Sequence, residues 1–127
     1  MPFEIVLGEP EVSSYWSDLE AKYNSGKLSG KEEQIFKKLI KVFKFLSENP
    51  KHNSLATHEI TELSDKFGLK IWQSYIENKT PAAGRIFWAY GPEKNQITIL
   101  AIESHPEVKR KSYSRVKLSR FPRKKNK

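Results

Sequence analysis

The stretch RIFWAYGPEKNQITILAIES, residues 85–104, decides the fold class of this chain. Its two halves, RIFWAY (85–90) and QITILAIES (96–104), are rich in aromatic and β-branched residues, which favour strands. GPEKN lies between them and is typical of a turn. The stretch therefore predicts a β-hairpin.

The residues just before this hairpin predict a third neighbouring strand. Lys70 to Glu77 (KIWQSYIE) has strand composition, and the loop NKTPAAG joins it to Arg85. Residues 51–69 form an expanded connection, in which we expect a short strand near 55–60 and a helical turn near 62–67. An antiparallel meander is the expected result.

The N-terminal part of the chain predicts a strand followed by two helices. Phe3 to Leu7 is a short strand candidate. Apolar residues then recur at helical spacing, at Val12, Tyr15, Trp16, Leu19 and Tyr23. Ser29-Gly30-Lys31-Glu32 is a capping-box pattern that predicts a second helix extending to about Ser47. The predicted core face of that second helix comprises Ile35, Phe36, Leu39, Ile40, Phe43 and Leu46.

These elements predict an α+β fold, with an N-terminal strand and a helical hairpin packed on one face of an antiparallel sheet. A chain of 127 residues, 37% of them hydrophobic, fits one domain with a modest core. We expect that domain to cover residues 1–122. For residues 123–127, RKKNK, we expect a basic, disordered tail.

The hairpin also predicts which side chains share a face of the sheet. If the turn pairs Tyr90 with Gln96, Arg85 lies opposite Ala101. Alternation then places Arg85, Glu103 and His105 on one face. A guanidinium, a carboxylate and an imidazole at one sheet edge would suit phosphate chemistry.

Positive charge is concentrated at one end of the chain. Residues 105–127 hold ten lysines and arginines and one acid, Glu107, whereas residues 1–104 hold 13 basic and 14 acidic residues. The excess accounts for the net charge of +8. Such a segment would attract a polyanion, although a solvated, frayed terminus is the ordinary alternative.

Several classes of protein are excluded or disfavoured by what the sequence lacks. There are no cysteines, so disulfides, thiolate metal ligands and a cysteine nucleophile are excluded. We see no glycine-rich phosphate loop, nucleophile elbow or HExxH motif. His52 and His58 are six residues apart and have no third ligand clustered with them, which is a weak pattern for a metal site. We assign them no role. We expect no metal or organic cofactor. With neither a signal peptide nor a membrane span in view, the cytoplasm is the expected location.

At this point the chain resembles the RelE/ParE superfamily, toxins of bacterial type II toxin–antitoxin systems. The resemblance covers the order of elements over nearly the whole chain, and in motif detail it is strongest over residues 70–113. It is carried by an arginine that opens the penultimate strand (Arg85), an apolar last strand, and basic residues leading to Tyr113. The loop Glu77 to Gly84 and the connection 51–69 are longer than is usual in that family.

The resemblance implies a toxin, of which the family has two kinds. RelE-like members cleave messenger RNA in the ribosome, and ParE-like members poison DNA gyrase. By resemblance to the nucleases, Arg85 would bind the scissile phosphate and Tyr113 would be the catalytic tyrosine. The family also implies a cognate antitoxin as partner, and an acidic, amphipathic protein would suit this basic surface.

Metal-independent RNA cleavage needs a group that takes a proton, cations that stabilise the crowded phosphate, and a group that protonates the leaving oxygen. We propose His105 as acid or base because imidazole titrates near neutral pH. The candidate RNA-binding residues are Lys109, Arg110, Lys111, Arg115 and Lys117. We therefore expect a ribosome-associated mRNA endonuclease with Arg85, His105 and Tyr113 as catalytic residues.

Each of these assignments has a structural alternative. Arg85 could pair with Glu103 across the sheet, His105 could end a strand before Pro106, and Tyr113 could be an anchoring aromatic. The rival functions are a noncatalytic gyrase inhibitor and a small basic RNA-binding module. In that module Trp72, Phe87 and Trp88 would stack bases, unless they pack in the core.

Overall fold

The computed structural model describes residues 2–77, 84–104, 113 and 116–122 of the chain. In chain order its elements are β1 (Glu4–Leu7), α1 (Glu11–Asn24), α2 (Gly30–Glu48), a 3₁₀ turn (Asn53–Leu55), β2 (His58–Glu59), α3 (Thr61–Phe67), β3 (Trp72–Tyr75), β4 (Arg85–Tyr90) and β5 (Gln96–Glu103). The predicted α+β class is confirmed. The predicted tail, residues 123–127, lies outside the described residues.

The strands form one five-stranded sheet in the order β1-β5-β4-β3-β2. From β2 to β5 each pair of neighbours is antiparallel, as the meander predicts. Strand β1 departs from the prediction, because it pairs parallel to β5, with Glu4 opposite Gln96 and Leu7 opposite Ile99. Parallel strands need a long connection between them, and the helical hairpin that follows β1 forms part of that connection. The sheet is therefore mixed rather than purely antiparallel.

The register of the β4–β5 hairpin also differs from the prediction. Tyr90 pairs with Ile97 instead of Gln96, and a bulge beside Phe87 and Trp88 shifts the pairing again, so that Arg85 lies opposite Glu103 instead of Ala101. Each shift is one residue. Because side chains alternate with a period of two, the two shifts together leave Arg85 and Glu103 on the same face.

The hairpin of α1 and α2 covers one face of the sheet. Its contribution to the core comes from Val12, Leu19, Phe36, Leu39, Val42 and Leu46, which pack against Ile86, Trp88, Ile97 and Ile99 of the sheet. Trp16 stacks on Phe36 with ring centroids 5.0 Å apart. Except for Val42, burial of these side chains on one helical stripe is what the sequence periodicity predicts. Ile40 and Tyr23, which we placed on the apolar faces of the helices, are instead 48% and 56% exposed.

A capping box and an ion pair fix the start of α2. The Ser29 hydroxyl accepts from the Glu32 N–H at 3.1 Å, and the Glu32 carboxylate accepts from the Ser29 N–H at 3.0 Å. Lys22 of α1 donates to the same carboxylate at 2.7 Å. The hydrogen bond from Lys22 is the main reason that the pKa of Glu32 lies below its ordinary value. Glu32 therefore connects the two helices.

The opposite face of the sheet is covered by α3 and by the end of the chain, which we call the C-terminal segment (described at residues 113 and 116–122). Leu63 of α3 and Val116 of the segment are buried against Phe87, Ala89 and Leu100 of the sheet. The phenyl rings of Phe67 and Phe121 lie 6.0 Å apart across this layer. The sheet is therefore the middle of three layers.

Backbone hydrogen bonds join the C-terminal segment to β5 and to the residues between β1 and α1. The Ser119 N–H donates to the carbonyl of Leu100, the residue that bulges from β5, at 2.7 Å. Glu9 and Arg120 exchange two backbone hydrogen bonds of 2.8 Å each. A Cβ on Gly8 would lie 2.7 Å from the Ile99 carbonyl oxygen, so only glycine fits this junction.

Candidate functional site

Arg85 is the centre of the polar cluster on the face covered by the C-terminal segment. It opens β4 and lies opposite Glu103 at the end of β5. Its Nε donates to the Glu103 Oε1 at 2.7 Å, with the two side chains 16% and 29% exposed. The structural alternative for Arg85, a cross-strand ion pair with Glu103, is therefore present. Because both side chains are partly exposed, a ligand can reach this ion pair.

The backbone before Arg85 is held close to the end of β5. Gly84 has a φ of 120°, and a Cβ there would lie 2.6 Å from the Glu103 carbonyl oxygen. A side chain would therefore clash with β5 as well as strain the backbone. The Ile76 N–H also donates to the Gly84 carbonyl at 3.1 Å. This fixed backbone sets the direction in which Arg85 leaves the sheet.

Tyr113 lies over the same guanidinium. The Arg85 Cζ is 5.0 Å from the centroid of the Tyr113 ring and 5.1 Å from that of Phe87. The two rings meet edge to face, with centroids 6.0 Å apart. Both contacts are cation–π interactions, which stabilise the positive charge of Arg85 beside the two rings. The structure thus brings together Arg85 and Tyr113, the two residues selected by family resemblance.

A buried amide extends the cluster to a histidine that sequence reasoning missed. Gln73 of β3 is 2% exposed, and its Oε1 accepts from an Arg85 Nη at 3.2 Å. Its Nε2 lies 3.5 Å from the His58 Nε2, and the His58 Nδ1 lies 3.0 Å from the Ala56 carbonyl oxygen. These contacts fit one assignment, a neutral His58 that donates from Nδ1 and accepts at Nε2.

No signal in the sequence could have found His58. It lies in β2, a strand of only two residues, and its pairing with Gln73 depends on the register between β2 and β3. Spacing along the chain does not show that register. Gln73 was equally hidden, because a buried glutamine inside a strand candidate carries no pattern of its own.

A cleft of about 360 Å³ lies beside this cluster. It is bounded by Leu100 to Glu103 of β5, by Glu11, Val12 and Tyr15 at the start of α1, and by Lys117 of the C-terminal segment. The Lys117 Nζ lies 3.1 Å from the Glu11 Oε2. The pKa of Glu11 lies below its ordinary value, first through a backbone hydrogen bond and then through Lys117. Opposite charges therefore line this cleft.

The fold also has a separate cavity of about 370 Å³ between α2 and β3. Its lining includes Val42, Phe45, Leu55 and Ile76, together with Lys38 and Lys41. The Lys38 Nζ lies 3.3 Å from a carboxylate oxygen of Glu77. The residues that line this cavity are different from those that line the cleft beside Glu103. Of the described residues that were selected from the sequence, Arg85, Tyr113 and Lys117 do not line it.

The remaining predicted site residues divide into two groups. Lys117 is described, and its side chain is 80% exposed. His105, Lys109, Arg110, Lys111 and Arg115 lie outside the described residues. The proposed catalytic set is therefore located for Arg85 and Tyr113. Within the described ranges, no three His, Asp or Glu side chains are grouped as metal ligands would be, and no helix has the length and apolar character to cross a membrane.

Comparison with family models, curated proteins and solved structures found no match to this chain.

Proposed function

We propose that the chain is the toxin of a RelE/ParE-like toxin–antitoxin pair and acts as an mRNA endonuclease at the ribosome. The observation that carries the proposal is the Arg85 guanidinium, placed beside the Glu103 carboxylate and under the Tyr113 ring. The resemblance drawn from the sequence selected Arg85 and Tyr113 without knowledge of their contacts. Their proximity on one face supports a shared site.

The chemistry of the cluster suits a phosphodiester. Arginine presents planar, always-charged donors that match phosphate oxygens. Hydrogen bonds to Glu103 and Gln73 use two of the five N–H groups of Arg85 within the described part of the chain. A phosphate could bind the others. Tyr113 covers the guanidinium, where its ring could stack on a base or its hydroxyl could transfer a proton.

The buried aromatic residues favour this proposal over the RNA-binding module. Phe87 and Trp88 are both 0% exposed, which confirms that they pack in the core. Neither ring can stack on a base without unfolding. Trp72 is half-buried and lies 6.0 Å from Trp88, on the helical side of the sheet. The noncatalytic gyrase inhibitor remains the rival function.

Loss of cutting in an Arg85→Ala variant is the first test. Purified protein is incubated with RNA, alone and on translating ribosomes, and the cut fragments are mapped. We expect wild-type protein to cut and Arg85→Ala to lose on the order of 10²-fold or more in rate, because a donor to the developing charge is removed. Arg85→Lys should recover only part, since an ammonium lacks the planar fork.

Lys44→Ala is the control, because Lys44 is exposed on α2, outside the basic C-terminal end of the chain. It removes one positive charge and should keep wild-type cutting, and circular dichroism should show that both variants fold. A wild-type protein that cuts neither free nor ribosome-bound RNA would overturn the proposal. Inhibition of gyrase supercoiling by that same preparation would establish the rival.

The proposed partner is an antitoxin with an acidic, amphipathic segment that covers the basic edge of this protein. The residues that suggest it are the ten lysines and arginines after residue 104. We expect a neighbouring reading frame to encode such a protein, and its addition should stop RNA cutting. If no adjacent acidic product binds this chain, the toxin–antitoxin assignment loses its support.

A further inference from the structure

Glu103 has two features of a catalytic carboxylate, although sequence reasoning treated it only as a partner for Arg85. Its Oε1 accepts from the Arg85 Nε at 2.7 Å, and its side chain is 29% exposed. It also lines the 360 Å³ cleft. A carboxylate held between a phosphate-binding arginine and an open cleft is placed where a nucleotide sugar would lie.

We propose that Glu103 is the general base that takes the proton from the attacking ribose 2′-OH. This inference rests on the proposed RNA endonuclease function and names a catalytic residue within it. A group must lie within hydrogen-bond reach of the proton that it removes. The Glu103 Oε1 lies 2.7 Å from the Arg85 Nε. A phosphate bound to Arg85 therefore brings the 2′-OH of the adjacent ribose close to Glu103.

The other acid in the cleft is less available. The Glu11 Oε2 lies 3.1 Å from the Lys117 Nζ, and its Oε1 accepts from the Ser119 hydroxyl at 3.1 Å. Both of its oxygens are therefore occupied. Among the described residues, Glu103 is hydrogen-bonded to Arg85 through Oε1. Gln73 would still hold the guanidinium if Glu103 turned toward the substrate.

The step balances without an added reactant. The 2′ oxygen loses its proton to Glu103 and forms a bond to phosphorus, while the bond from phosphorus to the 5′ oxygen breaks. The leaving 5′ oxygen takes a proton from a general acid, for which Tyr113, over the Arg85 guanidinium, is the candidate among the described residues. The products are a 2′,3′-cyclic phosphate and a 5′-hydroxyl end, and nothing is oxidised or reduced.

Several charged or polar groups face Glu103. Arg85 contacts it from β4, and Glu11, Tyr15 and Lys117 line the same cleft from α1 and the C-terminal segment.

The test is single-turnover cutting by Glu103→Gln near neutral pH. Glutamine can still accept from Arg85 but is a very weak base. We expect a rate loss of about 10²–10⁴ with unchanged RNA affinity. Glu20→Gln, an exposed change in α1, is the charge-matched control and should behave as wild type. A merely structural ion pair predicts only a small effect on the cutting rate.

Two measurements on wild-type protein keep the inference testable if the variant does not fold. The cut ends should carry a 2′,3′-cyclic phosphate, and a substrate with a 2′-deoxy sugar at the cut position should resist cutting. A wild-type enzyme that yields other ends, or a folded Glu103→Gln that cuts normally, overturns this inference and leaves the proposed function standing. A wild-type protein that cuts no RNA removes both.

Discussion

Ser29 shows how one side chain determines where a helix begins. The first N–H groups of a helix have no partner within the helix, and a serine at the N-cap supplies one. Here the Ser29 hydroxyl accepts from Glu32, and the Glu32 carboxylate accepts in return from the Ser29 N–H. All of these atoms lie within four consecutive residues. The capping box is therefore a local signal that needs no knowledge of the fold.

Replacing Ser29 with alanine should lower the free energy of unfolding by about 1 kcal/mol. The physical reason is the loss of an acceptor for the Glu32 N–H. Urea unfolding, followed by circular dichroism, measures the change. Ser17→Ala, an exposed position within α1, is the control and should leave stability nearly unchanged. Equal stability of Ser29→Ala and wild type would show that the cap contributes nothing.

Individual residues of the candidate site differ in how far the sequence could predict them. Arg85 and Tyr113 are found by resemblance, and Glu103 by alternation along a strand. Gln73 meets Arg85 only because β3 and β4 pair in one particular register, and His58 meets Gln73 only through the register of β2 and β3. Such contacts are tertiary, so composition and spacing carry no information about them.

Among the elements, β3 and β4 are joined by a buried polar contact within an apolar layer. The Trp88 Nε1 donates to the Ser74 hydroxyl oxygen at 2.9 Å, and the Ser74 and Thr57 hydroxyls lie 2.7 Å apart. Ser74 and Trp88 are both 0% exposed. Water cannot replace a lost partner there. The contact therefore connects two strands and the loop before β2.

Ser74→Ala should destabilise the protein by about 1–3 kcal/mol, because it leaves the Trp88 indole N–H buried without an acceptor. Chemical unfolding measures this directly. The control is a double-mutant cycle with Trp88→Phe, which removes the donor itself. The prediction fails if Ser74→Ala costs as much in the Trp88→Phe variant as in the wild type.

The elements also show the limit of pattern-based prediction. Every helix and strand predicted from the sequence is present within a few residues of its expected bounds. The register of β4 and β5 was wrong for two reasons: the turn pairs Tyr90 with Ile97 instead of Gln96, and alternation alone does not reveal that Leu100 bulges from β5. The parallel pairing of β1 was also missed. Strand composition indicates that a strand exists, and the tertiary fold decides what it pairs with.

At the scale of the whole molecule, the C-terminal segment is part of the core. Val116 is 8% exposed and Ser119 is 1% exposed, and both lie against the second face of the sheet. The domain was predicted to extend to residue 122 because apolar residues recur between the basic ones up to that point. The described basic residues Lys117 and Arg120 therefore belong to a segment that also has a structural role.

Shortening the chain separates these two roles. A protein ending at residue 122 should unfold with the wild-type free energy, because the five residues removed carry no apolar side chain. A protein ending at residue 112 should be much less stable, since it loses Val116, whose burial alone contributes about 1.5–3 kcal/mol. Urea unfolding and binding of a hydrophobic dye measure both effects.

The shorter protein should also bind the dye strongly, because Phe87 and Leu100 become uncovered. The protein ending at residue 122 serves as the control, because it lacks the four basic residues of RKKNK but keeps the part of the C-terminal segment that covers the sheet. If a protein ending at residue 112 unfolds at the wild-type urea concentration, the second face does not need its cover.

The parallel pairing of β1 with β5 has a consequence for biosynthesis. The first strand of the sheet to leave the ribosome lies beside the last one, and residues 4–7 wait for residues 96–99 before their ladder can close. Contacts of such long sequence separation slow folding. During translation the apolar sides of β1 and the first helices are without their partner strand, which is the condition under which nascent chains aggregate or recruit chaperones. The sheet is thus completed late in synthesis, and every molecule passes through an interval in which its earliest strand stays unpaired until its latest strand emerges.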